Sequence, residues 1–128
     1  MKLYQKFSLF LSFLTAIFIF YMSSKSNPPN PVSEFPYAAI IYHFSIFFLF
    51  SFFLFLSFST KKRILIISLF LSFVYAALDE MHQYFVPGRN AALSDFGIDC
   101  LGSILSLVFI LLFKKSKFLK STKIQKID

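Results

Sequence analysis

Four apolar runs, each about as long as a lipid bilayer is thick, decide most of what this chain can become. They cover residues 3–22, 37–58, 64–86 and 94–113. A helix needs about 20 apolar residues to cross about 30 Å of hydrocarbon. In lipid a backbone must also satisfy its own polar groups, so each run is read as a transmembrane helix. The expected fold class is an all-α membrane protein, a bundle of four transmembrane helices with both termini cytoplasmic. Residues 1–128 form one domain in this reading, and the 57% apolar composition leaves no stretch for a separate soluble one. The first run begins with basic residues, as a signal peptide does, but it is long for one and lacks a small-residue cleavage site, so it is expected to stay as a helix.

The basic residues set the expected orientation. Lys2, Lys6, Lys61, Lys62, Arg63, Lys114, Lys115, Lys117, Lys120, Lys123 and Lys126 all fall on one side if every run crosses once, leaving only Lys25 and Arg89 of the 13 on the other. Lys and Arg collect on the cytoplasmic side of membrane proteins. The expected location is therefore the cell (cytoplasmic) membrane, multi-pass, with the 23–36 and 87–93 connections outside. The net charge of +7 sits beside apolar runs, which argues against nucleic acid as a partner. Residues 114–128 alternate Lys with apolar residues and read as a basic cytoplasmic tail lying along the membrane surface. The single cysteine, Cys100, excludes an intramolecular disulfide and a Cys-rich zinc site.

Against this background one polar cluster stands out. Asp79, Glu80, His82 and Gln83 close the third run, Arg89 lies in the connection, and Asp95 and Asp99 open the fourth. Ionisable groups inside membrane spans are costly and have a functional reading by default. Asp79, His82, Gln83 and Val86 share one helical face, with Glu80 one step round. Asp95, Asp99, Gly102 and Ser106 form one stripe of the fourth helix, polar at its start and small below, where Gly102 lets another helix come close. Val86-Pro87-Gly88-Arg89 fits a type II turn that holds Arg89 over the carboxylates. His43 lies near the start of the second helix at a matching depth, flanked by Tyr37 and Tyr42 as interfacial aromatics. The serines of the first three runs are read as helix-packing residues and their Phe, Leu and Ile as lipid-facing surface.

At Asp79-Glu80-x-x-Gln83-x-x-Val86-Pro87-Gly88-Arg89, with Asp95, Gly102, His43 and Ser23-Ser24, the chain resembles the VanZ-like family of small integral membrane proteins. The resemblance covers most of the chain. It implies a cell-envelope role, in a family named for a protein associated with resistance to the glycopeptide teicoplanin. Asp99 stands where members often carry Asn, which makes this site more acidic.

Two functional readings stay open. In one, the cluster binds the head group of a membrane lipid, a lipid-linked envelope precursor or a glycopeptide, with Gln83, Arg89, Asp95, Asp99 and His82 as contacts. In the other, the protein is an enzyme acting on lipid head groups, with Asp79, Glu80 and His43 as acid/base residues. The clustered carboxylates also suit a divalent cation such as Mg2+ or Ca2+. A small transporter fits less well, because the acids are shallow and no span is broken at its middle, although a homo-oligomer could build a pore.

Overall fold

The computed structural model describes residues 1–26, 37–58, 62–89 and 91–124, with side chains described as far as Phe113. Four helices follow in order: α1 (Leu3–Ser23), α2 (Ala38–Ser57), α3 (Lys62–Tyr84) and α4 (Leu93–Ile124), with no strand among the described residues. Each is long and apolar enough to cross a membrane. The expected all-helical bundle is therefore the observed architecture.

The ends of the helices follow local chemistry. The Lys2 backbone N–H opens α1 by donating to the Gln5 side chain at 2.8 Å. α3 stops at Tyr84, two residues before the expected end. Pro87 disfavours helical backbone at Val86. The preceding amides of Phe85 and Val86 accordingly bond three residues back, to the carbonyls of His82 and Gln83. The turn that follows matches expectation: the Arg89 N–H donates to the Val86 carbonyl at 3.1 Å, and Gly88 has φ +80°. At the other end, α3 begins at Lys62, two residues before the apolar run. Lys61 and most of the 23–36 connection lie outside the described residues.

The largest departure is at the C-terminal end. Residues 114–124 continue α4 instead of forming a separate tail. After Gly102 the sequence has no Gly or Pro to end the helix, and Lys, Leu and Ile all tolerate helical backbone. At 1.5 Å per residue α4 is about 48 Å long, well beyond the hydrocarbon core of a bilayer.

Around the bundle the order is α1, α2, α4, α3, and α2 touches all three others. Ile19, Phe47, Phe50, Leu54 and Ala76 form one core cluster, and Phe55, Leu65 and Ile110 another. The Phe-rich runs are thus not uniformly surface: Phe47 and Phe55 are fully enclosed, whereas Phe7, Phe10, Phe13 and Phe70 face outward. Gly102 does the work expected of it. A Cβ there would lie 2.5 Å from the Phe44 carbonyl oxygen and 3.1 Å from the Phe48 nitrogen, so α4 rests directly on the α2 backbone.

Serines bind the helices together in the middle of the bundle. Ser51 Oγ lies 2.9 Å from Ser72 Oγ and 2.8 Å from Ser103 Oγ, joining α2, α3 and α4. Ser103 donates onward to the Asp99 carbonyl at 3.1 Å. Of the serines expected to pack helices, Ser8, Ser12, Ser51, Ser57, Ser68 and Ser72 are buried, while Ser45 is exposed. The layer lies eight residues, or about 12 Å, along α2 from His43, so it forms the floor beneath the polar cluster.

Candidate functional site at one end of the bundle

The antiparallel order brings the C-terminal ends of α1 and α3 to the same end as the N-terminal ends of α2 and α4. The polar residues collect there. Asp79, Glu80, Gln83, Asp99 and His43 are all buried, and Asp95 is partly exposed with 27% of its side chain accessible. Glu80, expected one step off the shared face of α3, is buried with Asp79 instead.

Two groups of three side chains come close enough to share a ligand. His43, Glu80 and Asp95 each place an atom within 4.8 Å of the others, and so do Asp79, Glu80 and Asp99. Glu80 is common to both. His43 is oriented by Asp99, with Nδ1 3.0 Å from Oδ1. Its other ring nitrogen, Nε2, lies 3.9 Å from Asp95 Oδ2. Asp99 Oδ2 is buried with no hydrogen-bond partner among the described residues, as are the hydroxyls of Tyr42 and Ser106. Tyr42 is thus turned into the protein, edge-on to the His43 ring at 5.6 Å, rather than standing at an interface as an anchoring aromatic.

The remaining acids are held from several sides. Ser23 donates to Asp79 Oδ1 at 2.5 Å. The Gln83 amide donates to Asp79 Oδ2 at 2.9 Å and approaches Glu80 Oε1 at 3.5 Å. Glu80 Oε2 accepts the Ala92 backbone N–H at 2.9 Å. Arg89 does not cap the carboxylates directly. Its Nη2 donates to Gln83 Oε1, and the ion pairs among the described residues are the two made by His43.

His82 stands apart from the cluster. Its ring stacks on Phe20 with centroids 4.6 Å apart. Its Nε2 lies 3.0 Å from the Ser24 hydroxyl, which is also 2.7 Å from the Phe20 carbonyl. His82 thereby ties α3 to α1. Ser23 and the Ala92 amide are contacts that residue type and helical spacing did not assign to the site.

An open pocket of about 330 Å³ lies beside the cluster, lined by Ala77, Glu80, Ala91, Ala92, Leu93 and Phe96. It runs between the end of α3 and the start of α4. Its walls are apolar except for Glu80.

Four apolar helices enclosing a His–carboxylate cluster near one end define a multi-pass membrane protein with a buried polar site. Residues 4–114 match the VanZ/LLP1 family, and the chain belongs to that family. No curated protein and no solved structure matches it.

Proposed function

We propose that this VanZ-family protein binds the head group of a lipid-linked or anionic envelope amphiphile at the outer face of the cytoplasmic membrane. The observation that carries this reading is the pocket between α3 and α4, apolar along its walls and ending on the buried carboxylate of Glu80. Such a surface suits a molecule with an apolar tail and a polar head. Glu80 would accept from head-group hydroxyl or amide donors. Arg89 is half-buried, and the Gln83 bond is the one hydrogen bond its guanidinium makes among the described residues. Its remaining N–H groups would hold a phosphate. The eleven basic residues that the sequence places before the first run, between the second and third and after the fourth support the outward orientation. A protein that occupies an envelope precursor in this way would alter its access to a glycopeptide, and teicoplanin susceptibility is the phenotype to measure.

The test is native mass spectrometry of the protein extracted with its host lipids. A retained anionic amphiphile is expected on the unmutated chain and not on Glu80→Gln or Arg89→Ala. Equal lipid occupancy in all three would remove the reading. One observation favours a second reading. The 3.0 Å Asp99–His43 contact leaves Nε2 directed toward the cluster, as an acid/base histidine requires. Under that reading Glu80 and His43 act on the head group. Asp79, with both oxygens engaged, positions rather than reacts. Conversion of a lipid species in proteoliposomes, abolished by Glu80→Gln, would distinguish enzyme from receptor.

A further inference from the structure

We infer that His43, Glu80 and Asp95 form a divalent-metal site of mixed nitrogen and oxygen donors, suited to Mn2+ or Zn2+, where α2, α3 and α4 meet. One donor atom from each lies within 4.8 Å of the other two. Ligands about 2.1 Å from a common ion are at most about 4.2 Å apart, so the three need close only slightly.

Two of the three ligands, His43 and Glu80, are already held by their other polar atom. Asp99 Oδ1 lies 3.0 Å from His43 Nδ1; facing a carboxylate there, the neutral ring carries its proton on Nδ1 and its lone pair on Nε2. That nitrogen faces Asp95 Oδ2 at 3.9 Å, too far for a hydrogen bond. Glu80 Oε2 is fixed by the Ala92 amide, while Oε1 has only the long 3.5 Å approach of Gln83. A carboxylate behind a histidine, with the far nitrogen turned to further carboxylates, is the usual support for a histidine metal ligand.

A second observation points the same way from outside the triad. Asp99 is fully buried, and its Oδ2 has no hydrogen-bond partner among the described residues. It shares a second close group with Asp79 and Glu80. Four carboxylates therefore converge, and Arg89 makes no ion pair with any of them among the described residues. Carboxylates gathered this closely are relieved by protonation or by a cation, and a bound divalent ion supplies the second. The imidazole donor favours a transition metal over Mg2+ or Ca2+. The inference goes beyond head-group binding and stands whatever fills the pocket. Because Glu80 lines both, it places the ion at the pocket's polar wall.

The experiment uses the full chain in detergent, stripped with a chelator and titrated with Mn2+ while the free-ion EPR signal is followed. We expect one Mn2+ per chain, displaced by Zn2+, with spin-echo modulation from one imidazole nitrogen. Glu80→Gln and Asp95→Asn should each weaken binding by about tenfold or more. His43→Gln should abolish the nitrogen modulation and His82→Gln should leave it. If His43→Gln does not stay monodisperse, the partly exposed Asp95 carries the test. No bound Mn2+ at millimolar ion, binding indifferent to Glu80→Gln and Asp95→Asn, or no nitrogen coupling would each overturn the site. Metal binding without lipid retention would defeat the head-group reading alone, and lipid retention without metal would defeat this one alone.

Discussion

Neighbouring acids on α3 have different duties. Asp79 has one oxygen on Ser23 of α1 and the other on Gln83 of its own helix, so it ties the bundle together. Glu80, one residue on, faces the pocket. Asp79→Ala would leave Ser23 with only the Ile19 carbonyl of its own helix and Gln83 with only the long approach to Glu80, at a cost of about 1–3 kcal/mol. The variant should melt well below the unmutated protein in detergent, and Asp79→Asn should lose less. Ser23→Ala should reproduce part of the same loss, and adding Asp79→Ala to it should be clearly less than additive. An additive pair would show that the two do not interact. Helical spacing was enough to put Asp79 and Gln83 on one face, because they are four residues apart. It could not reveal Ser23, which is 56 residues away and meets Asp79 only through the packing of α1 on α3. Arg89 illustrates the same limit. Its charge predicts a carboxylate partner, whereas the turn at Gly88 delivers it to the Gln83 amide oxygen. Gly88 cannot be replaced freely. Its φ is +80°, and a Cβ would meet the Ser26 carbonyl oxygen at 2.9 Å. Gly88→Ala should cost about 1–2 kcal/mol in strain and displace Arg89.

At the scale of the helices, two glycines of α4 make a controlled comparison. A Cβ on Gly102 runs into the backbone of α2, while one on Gly97 meets nothing within 4 Å. Backbone cannot yield as a flexible side chain can, so Gly102→Ala should push α2 and α4 apart at about 1–3 kcal/mol. Gly97→Ala should be neutral or stabilise α4 by up to about 1 kcal/mol, because alanine is the better helix former. Thermal melts of both variants in one detergent check this, and equal melting temperatures would contradict the direct contact of the two backbones. The apolar runs and the Gly102 stripe were enough to read the existence of all four helices and the close face of α4, while the third run overshot the end of α3 by two residues. The C-terminal limit of α4 was not legible in the same way. Loss of hydropathy after Phe113 marks where a span leaves hydrocarbon, and it does not mark where hydrogen bonding along the helix stops.

For the molecule as a whole, the bundle order α1, α2, α4, α3 explains why one end is polar and the rest is not. Each apolar helix alone offers at most a few polar residues near one terminus. Antiparallel packing superimposes the end of α1 and α3 on the start of α2 and α4, so residues from four separate stretches of chain become one site. Depth along each run could be counted from the sequence, which is why His43 could be matched with the acids of α3 and α4. The partners within the site depend on which helices are neighbours, and α2 is in contact with every other helix. Orientation across the membrane is a property of the charges outside the bundle. Moving the basic ends to the outer face would oppose the bias that places Lys and Arg in the cytoplasm. The exposed loop residue Ala91 should therefore report the outer face. In a Cys100→Ser background, Ala91→Cys should be labelled in intact cells by a membrane-impermeant thiol reagent, and Lys126→Cys only after permeabilisation. The reverse pattern would put the cluster on the cytoplasmic side, remove extracellular head groups and glycopeptides from its reach, and leave the geometry of the His43–Glu80–Asp95 site unaffected.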